Sequence, residues 1–224
     1  MNLETARFNM IEQQIRPWDV LDPAVLSLLA TVRREDFVPP AMRALAFVDT
    51  QVPLLPGQPH GPCMLEPKVE ARLLQELQVQ RHEKVLEVGT GSGFMAALLA
   101  HRAQQVLTLE CVPELAQQAR ASLQRNGLAN VRVIDVQAAG GALGLTGEAP
   151  FDVILLSGSV PEVPRALLQQ LKQGGRLAAV VGDEPVMHAR LFKRVGEAAW
   201  SETDLFDAVA PRLQGFAEPT RFHF

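Results

Sequence analysis

A short strand that runs directly into a glycine-rich turn limits the possible folds of this chain more than any other feature. Residues 84 to 94 read K-V-L-E-V-G-T-G-S-G-F, so an apolar, partly β-branched run ends where three alternating glycines begin. Such runs are typical of buried strands. The residues after the turn are rich in Met, Ala and Leu and contain no Gly or Pro up to residue 103, which predicts a helix. The sequence therefore predicts a strand, a glycine loop and a helix.

The glycine loop is a candidate ligand site. Glycines lack a Cβ and let the backbone approach a ligand closely, while the N-terminus of the following helix offers unpaired N–H groups. The next predicted strand, 105 to 109, is followed by Glu110. This acid lies about twenty residues after the first glycine, where a carboxylate can accept hydrogen bonds from both ribose hydroxyls. These features favour a nucleotide-like ligand, although a tight turn before a packed helix also requires glycine.

The spacing of the glycines distinguishes between kinds of nucleotide. A dinucleotide-binding loop has the pattern G-x-G-x-x-G, whereas this loop has G-x-G-x-G followed by Phe94. The spacing therefore argues against a loop that binds a pyrophosphate.

Size, charge and cysteine content argue against several classes of protein. The 224 residues suffice for one domain with a full hydrophobic core. The two cysteines, Cys63 and Cys111, lie far apart and in no Cys/His cluster, so neither a disulfide framework nor a metal site is expected, and a reducing cytoplasm fits. A net charge of −4 from 21 basic and 25 acidic residues gives no general attraction to nucleic acid. We recognise no signal peptide or membrane-spanning run.

The first third of the chain predicts helices and a long loop. Leu3 to Ile15 has apolar residues at nearly helical spacing and ends at Arg16-Pro17, and Asp22-Pro23 is typical of the start of a second helix. We expect these helices to cap one side of a sheet rather than to form a separate domain. Residues 38 to 67 carry seven of the sixteen prolines, which predicts a long ordered loop that closes over the glycine site.

The remaining chain alternates between strands and helices. Five predicted strands separated by helices indicate an α/β fold with a doubly wound, mostly parallel sheet. After them, residues 188 to 206 favour an antiparallel hairpin, with a helix over Met187 to Arg194 as the alternative. The later predicted strands are 105 to 109, 131 to 136, 151 to 156 and 176 to 181, and the predicted helices include 66 to 77, 113 to 125 and 161 to 171. We expect a single domain, with the cap and loop in residues 1 to 80 and the α/β core in 81 to 224.

Longer segments carry a family resemblance. The stretch E-V-G-T-G-S-G-F with its downstream acid resembles motif I of the class I S-adenosylmethionine-dependent methyltransferases. Over nearly the whole chain, the order and spacing of further segments resemble the protein-L-isoaspartate O-methyltransferase family. These segments are R-R-E-D-F-V-P-P (33 to 40), A-F-V-D (46 to 49), P-F-D-V-I-L-L-S-G-S-V-P-E-V-P (150 to 164) and L-K-Q-G-G-R-L (171 to 177). The resemblance implies a Rossmann-like fold, S-adenosyl-L-methionine as cofactor, and methylation of a carboxylate in protein repair.

The proline-rich loop departs from the family pattern. The family usually has a stretch like D-x-x-L-P-I-G-x-G-Q-T-I-S-Q-P, whose Thr-Ile-Ser segment lies at the reacting groups. The positions that match are Asp49, Pro53, Gly57 and Gln58. Residues 59 to 61, however, are Pro-His-Gly, and the other candidate for the serine position is Leu65. Either alignment loses the hydroxyl, which makes His60 the candidate catalytic or substrate-positioning side chain.

The resemblance also assigns roles around the glycine loop. Glu87 would meet the amino group of the cofactor, Glu110 would bind the ribose, and Cys111 would fill space beside the cofactor. The acid that the family carries after its third strand is missing, so Gln137 or Asp135 would face the adenine. The alternatives are that Glu87 caps a neighbouring loop and that Asp135 is a solvated strand end. The expected cofactor-binding residues are Glu87, Gly89, Thr90, Gly91, Ser92, Gly93, Glu110, Cys111, Asp135 and Gln137.

The sequence therefore favours an S-adenosyl-L-methionine-dependent O-methyltransferase that acts on a protein or peptide carboxylate, or on a small molecule, in the cytoplasm. A methyltransferase with a different acceptor and a cofactor-binding interaction module without turnover are the two alternatives. We expect no metal and no nucleic-acid or membrane partner, and the sequence predicts no oligomeric state.

Overall fold

A seven-stranded sheet forms the centre of the structure. The structure is a computed structural model, and it describes residues 2–58 and 61–218. Two short strands pair within the proline-rich loop, β1 (Val52–Pro53) and β2 (Cys63–Met64). The strands of the central sheet are β3 (Lys84–Val88), β4 (Gln105–Glu110), β5 (Val131–Asp135), β6 (Phe151–Val160), β7 (Leu171–Asp183), β8 (Val186–Arg194) and β9 (Trp200–Asp207).

The order of the strands confirms the predicted doubly wound sheet. It is β5-β4-β3-β6-β7-β8-β9, with parallel pairing from β5 to β7 and antiparallel pairing from β7 to β9. The chain leaves β3 toward β5 on one side and returns to the other side of β3 through β6. In such sheets the connections diverge at this point and open a crevice at the carboxyl ends of the two central strands.

Helices cover both faces of the sheet and bury most residues of its central strands. Along β3, Val85 packs into one hydrophobic cluster and Leu86 into the other, because successive side chains of a strand point to opposite faces. The first cluster includes the N-terminal cap, and the second includes Phe216 from the end of the described chain. The helices are α1 (Leu3–Met10), α2 (Pro23–Thr31), α3 (Pro67–Leu77), α4 (Phe94–Arg102), α5 (Pro113–Arg125), α6 (Ala138–Leu143) and α7 (Arg165–Leu168).

The N-terminal cap differs in detail from the single helix predicted over Leu3 to Ile15. The helix is α-helical only to Met10, continues as a π-helix over Ile11–Ile15, and closes with a 3₁₀ turn over Arg16–Trp18. Asp22 caps α2 by accepting a hydrogen bond from Ala24 N–H at 2.8 Å, as the Asp-Pro pair predicts. Among the described residues, the buried apolar side chains of the cap belong to the same cluster as Val85 and one face of the sheet.

Two expectations for the C-terminal half need correction. The helix predicted over residues 161 to 171 spans only Arg165–Leu168, because Leu171 already begins β7 and pairs with Phe151. Side-chain hydrogen bonding stabilises this early start, since Arg194 Nη1 donates to Leu171 O at 2.5 Å. The hairpin prediction is confirmed, and the alternative helix over Met187 to Arg194 is wrong, since these residues belong to β8.

Candidate functional site

A cavity of about 290 Å³ lies at the carboxyl ends of the central strands. Its position is the crevice that the sheet topology opens. Its lining residues come from the glycine loop, from the ends of β3, β4 and β6, from α6, from the proline-rich loop and from the last described segment (residues 208–218). They are Gly61, Pro62, Cys63, Val88, Gly89, Gly91, Leu109, Glu110, Cys111, Val112, Val136, Ala138, Gly141, Ser157, Pro211, Arg212, Leu213 and Gln214.

Two of the three glycines of the loop contribute backbone to this cavity. Gly91 has φ +52°, and a Cβ there would lie 3.1 Å from Leu54 Cδ1. A Cβ at Gly89 would lie 2.8 Å from Leu213 Cδ2. Gly89 also has a positive φ, +93°, so the backbone conformation favours glycine at both positions, and a Cβ at either would require a leucine side chain to shift.

The third glycine serves packing. Gly93 does not line the cavity and has φ +84°, and a Cβ there would press against α5, 3.3 Å from Ala119 Cβ and 3.4 Å from Leu123 Cγ. Thr90 and Ser92 also lie outside the large cavity. Thr90 Oγ1 shares a hydrogen bond of 2.7 Å with Thr108 Oγ1, and Ser92 Oγ accepts from the N–H at the start of α4 at 3.2 Å.

Glu110 binds the glycine loop through its own carboxylate. One oxygen, Oε2, accepts a hydrogen bond from Gly91 N–H at 2.8 Å, and the other accepts from the N–H groups of Cys111 and Val112, both at 2.9 Å. The residue is 5% exposed and lines the cavity. Glu110 thus lies where a ribose-binding acid is expected, and it also fixes the loop that would surround the ligand.

Glu87 is fully buried beneath the loop, where its carboxyl group accepts hydrogen bonds from two neighbouring strands. Thr108 Oγ1 on β4 donates to Oε2 and Ser157 Oγ on β6 donates to Oε1, each at 2.7 Å. Glu87 lines a second cavity of about 20 Å³, which shares Cys63, Gly89, Gly91 and Ser157 with the first. Burial raises the pKa of Glu87 to about 8, although both hydroxyl donors oppose the shift.

The residues expected near the adenine lie at the rim. Asp135 has a side chain that is 58% exposed and forms an ion pair with Arg120 on α5. Gln137 immediately precedes α6 and lies between two residues that line the cavity, Val136 and Ala138. Neither Asp135 nor Gln137 lines the cavity itself. Cys111 does line it, and its thiol lies 3.7 Å from Gln214 Oε1.

The last described segment forms one wall of the cavity, which the sequence did not indicate. Ser159 N–H donates to Pro211 O at 2.8 Å and Leu213 N–H donates to Ser159 O at 2.9 Å, so the segment adds to the end of β6. Arg212 reinforces this docking, with Nη2 donating to Asp183 Oδ1 at 2.6 Å. Only tertiary packing brings these residues to the glycine loop, and no local motif marks them.

The proline-rich loop contributes a second wall through Gly61, Pro62 and Cys63, which line the cavity together with Gly89 and Gly91 of the glycine loop. Burial, together with Glu66 and Glu70, raises the pKa of the Cys63 thiol to about 12. The candidate catalytic residue His60 lies outside the described residues.

A buried arginine fixes both ends of this loop, a role the sequence did not indicate. Arg34 is 1% exposed, and it donates to Ala46 O at 2.9 Å and to Leu65 O at 2.7 Å. Its Nε also donates to Glu70 Oε2 at 3.3 Å. Burial raises the pKa of Glu70 to about 7 even beside this guanidinium.

Over the described ranges 2–58 and 61–218, no three His, Cys, Asp or Glu side chains group together as metal ligands. No helix within the same ranges is long and apolar enough to cross a bilayer.

Comparisons with known proteins agree with the fold and with the family resemblance. The family model described as protein-L-isoaspartate(D-aspartate) O-methyltransferase matches residues 6–208. A protein-L-isoaspartate O-methyltransferase of Koribacter versatilis is 40% identical over 90% of this chain and 87% of its own length. Protein-L-isoaspartate O-methyltransferase 1 of Syntrophobacter fumaroxidans is 40% identical over 82% of each chain.

The fold is also seen in a solved structure, described as a protein-L-isoaspartate O-methyltransferase from Plasmodium falciparum in complex with S-adenosyl-L-homocysteine. It superposes with a TM-score of 0.76 at 18% identity and covers 96% of this chain and 99% of its own. The family match across residues 6–208 and the 40% identity to curated relatives lead to one conclusion: this chain belongs to the protein-L-isoaspartate(D-aspartate) O-methyltransferase family.

Proposed function

We propose that this chain transfers the methyl group of S-adenosyl-L-methionine to the free carboxylate of an isoaspartyl residue in a damaged protein or peptide. Membership of the family supports the cofactor and the reaction class. The observation that carries the proposal is the cavity at the carboxyl ends of the central strands, where Gly89, Gly91 and Glu110 face a space bounded by the proline-rich loop.

The residues around the cavity fit this cofactor. A volume of about 290 Å³ is near the lower end of the ~300–1,000 Å³ that small-molecule sites occupy. An ionised carboxylate offers about four lone-pair sites, so Glu110, which accepts three backbone hydrogen bonds, retains capacity for a hydroxyl. Leu109, Val112 and Val136 supply apolar surface suited to a base. When bound, S-adenosyl-L-methionine supplies a methyl group attached to a positively charged sulfur.

The reaction requires alignment more than proton transfer. A carboxylate oxygen forms a bond to the methyl carbon while the bond from that carbon to sulfur breaks, so two opposite charges become neutral products. Such a displacement depends on in-line placement of the reactants and on exclusion of water. The Gly61–Cys63 wall and the Pro211–Gln214 wall both line the cavity and would restrict water there.

A methyltransferase with a different acceptor is the second candidate. The described loop residues on the cavity, Gly61, Pro62 and Cys63, contribute a neutral thiol and no hydroxyl. Without a hydroxyl donor the loop offers less to a carboxylate acceptor than the family pattern does. We therefore expect isoaspartyl turnover to be weak compared with relatives that carry the Thr-Ile-Ser segment.

The proposed partner is a protein or peptide carboxylate in the cytoplasm. The reducing compartment is supported by the two cysteines, both of which are free thiols.

The deciding experiment follows labelled methyl groups into a peptide that contains one isoaspartyl residue, beside the same peptide with ordinary aspartate. Faster labelling of the isoaspartyl peptide would support the proposal. Equal rates, or labelling only of unrelated acceptors, would favour the second candidate. Binding of S-adenosyl-L-homocysteine without any transfer would identify an interaction module.

A further inference from the structure

Gln51 is the residue that connects the two walls of the cavity. Its amide Nε2 donates to Val209 O at 3.0 Å, a contact across 158 residues, and to Glu66 Oε1 at 3.3 Å. Its Oε1 accepts a hydrogen bond from the thiol of Cys63 at 3.5 Å. One side chain therefore contacts the proline-rich loop, the start of α3 and the last described segment.

The contacts of Gln51 lie next to the residues that form the walls. Cys63 belongs to the wall of the proline-rich loop, and Val209 is two residues before the Pro211–Gln214 wall. Each wall has its own backbone hydrogen bond, from Leu54 N–H to Pro62 O on one side and from Leu213 N–H to Ser159 O on the other, both at 2.9 Å. Among the described residues, no other side-chain hydrogen bond joins the 61–66 loop to residues 208–214.

The chemistry of Gln51 suits this bridging role. A primary amide donates two hydrogen bonds and accepts through its carbonyl oxygen, so it can satisfy a carboxylate, a backbone carbonyl and a thiol together. The thiol remains a donor at neutral pH because the pKa of Cys63 is raised to about 12. No apolar or purely anionic side chain offers the same set of contacts.

We propose that Gln51 is a positioning residue that couples the proline-rich loop to the C-terminal wall, so that the two sides of the cavity mouth open and close together. The consequence for catalysis rests on the proposed function: when the walls are coupled, release of the demethylated cofactor requires both to move. Loss of the amide would let each wall move independently and would increase the rate of release.

The first test measures amide hydrogen exchange at Leu54, whose N–H is bonded to Pro62 of one wall, and at Leu213 of the other wall, in the protein without ligand. Gln51→Met keeps the length of the side chain but removes its hydrogen bonds, and we expect exchange at both reporters to rise about tenfold. The matched control is Gln75→Met, because Gln75 also makes three bridging hydrogen bonds, to Leu21 N, Asp22 N and Asp19 O, away from the cavity. It should leave both reporters unchanged.

The second test measures dissociation of S-adenosyl-L-homocysteine, which we expect to be about tenfold faster in Gln51→Met and unchanged in Gln75→Met. If the wild-type protein does not bind S-adenosyl-L-homocysteine, the proposed function is wrong, but the exchange measurement still tests the coupling of the two walls. Faster exchange at Leu54 alone, or wild-type exchange in Gln51→Met, would overturn the coupling and reduce Gln51 to a space-filling residue. If Gln51→Met does not fold, the same measurements are made on Gln51→Asn, because the asparagine amide is one methylene too short to reach both walls.

Discussion

Ser157 Oγ donates a hydrogen bond to Glu87 Oε1 over 2.7 Å, although the two residues are 70 positions apart. The contact joins the central strands β3 and β6 directly beneath the glycine loop. Together with Thr108, Ser157 lets a fully buried carboxyl group exist without a cationic partner.

The buried carboxyl group should make stability depend on pH. The pKa of Glu87 is about 8 in the folded protein, well above the usual value, so the folded state holds a proton that the unfolded chain releases near pH 4.5. Protonation of Glu87 therefore stabilises the folded state fully below about pH 4.5. This contribution to the free energy of unfolding falls as the pH rises toward 8, by up to about 1.4 kcal/mol per pH unit. Glu87→Gln should reduce this slope in urea unfolding measured from pH 5 to 8.

The exposed Glu114 on α5 provides the control for this measurement, because Glu114→Gln changes only a surface contact with Gln118. Glu70 contributes a slope of the same sign over a narrower pH range, since its pKa is about 7. An unchanged slope in Glu87→Gln would show that Glu87 is ionised in the folded state.

The thiol of Cys63 should be unreactive in the folded protein. Its pKa of about 12 leaves very little thiolate at pH 8, and the thiolate is the nucleophile. Alkylation by iodoacetamide should be slower than in the urea-unfolded chain by about a hundred- to a thousandfold, as followed by mass spectrometry of the Cys63 peptide. Rapid modification at pH 8 would mean that the loop exposes this thiol.

Substitution of Gly91 should weaken cofactor binding. Gly91 lines the cavity, and Gly91→Ala places a Cβ at φ +52° and 3.1 Å from Leu54 Cδ1. Gly127→Ala is the matched control, because Gly127 also has a positive φ, +71°, but no neighbour within 4 Å. Calorimetry should show at least about tenfold weaker binding of S-adenosyl-L-homocysteine for Gly91→Ala only, a loss of about 1.4 kcal/mol. Similar losses in both variants would point to backbone strain rather than to the site.

Removal of the Glu110 carboxylate should affect binding in two ways. Glu110→Ala should cost about 1.5–3 kcal/mol of cofactor affinity, the range for hydrogen bonds to a charged group. Because Glu110 also accepts from Gly91 N–H, part of the loss should persist for an analogue that lacks both ribose hydroxyls. Titration with both ligands separates these contributions. Identical losses of affinity for the two ligands would show that Glu110 only stabilises the glycine loop and does not bind the ribose.

His60 remains the predicted substrate-positioning residue. If it replaces the missing hydroxyl, His60→Ala should abolish isoaspartyl turnover while affinity for S-adenosyl-L-homocysteine stays unchanged, because the proposed cofactor-binding groups are the glycine loop and Glu110. The measurement combines labelled turnover with calorimetry. Robust turnover in His60→Ala would show that the reaction does not depend on this segment.

Local sequence patterns determined the parts of the fold that depend on neighbouring residues. The apolar run before Gly89 predicts β3, and the alternation of strands and helices predicts the parallel sheet. Both predictions are possible because strands and helices bury apolar residues at different spacings along the chain. The glycine pattern and Glu110 also predict a site at the carboxyl end of β3, and the structure has a cavity there, since strand ends followed by glycine meet at one edge of a parallel sheet.

Tertiary structure decided which groups face the cavity and which support it. Gly93 and Gly91 look alike in the sequence, yet only Gly91 lines the cavity, while Gly93 packs against α5. Ser157, Gln51 and the Pro211–Gln214 wall carry no local signal, because their partners lie tens to more than a hundred residues away in the chain. Their roles depend on how the sheet and the loops fold together. A local sequence pattern indicates only contacts between residues that are close to each other in the chain.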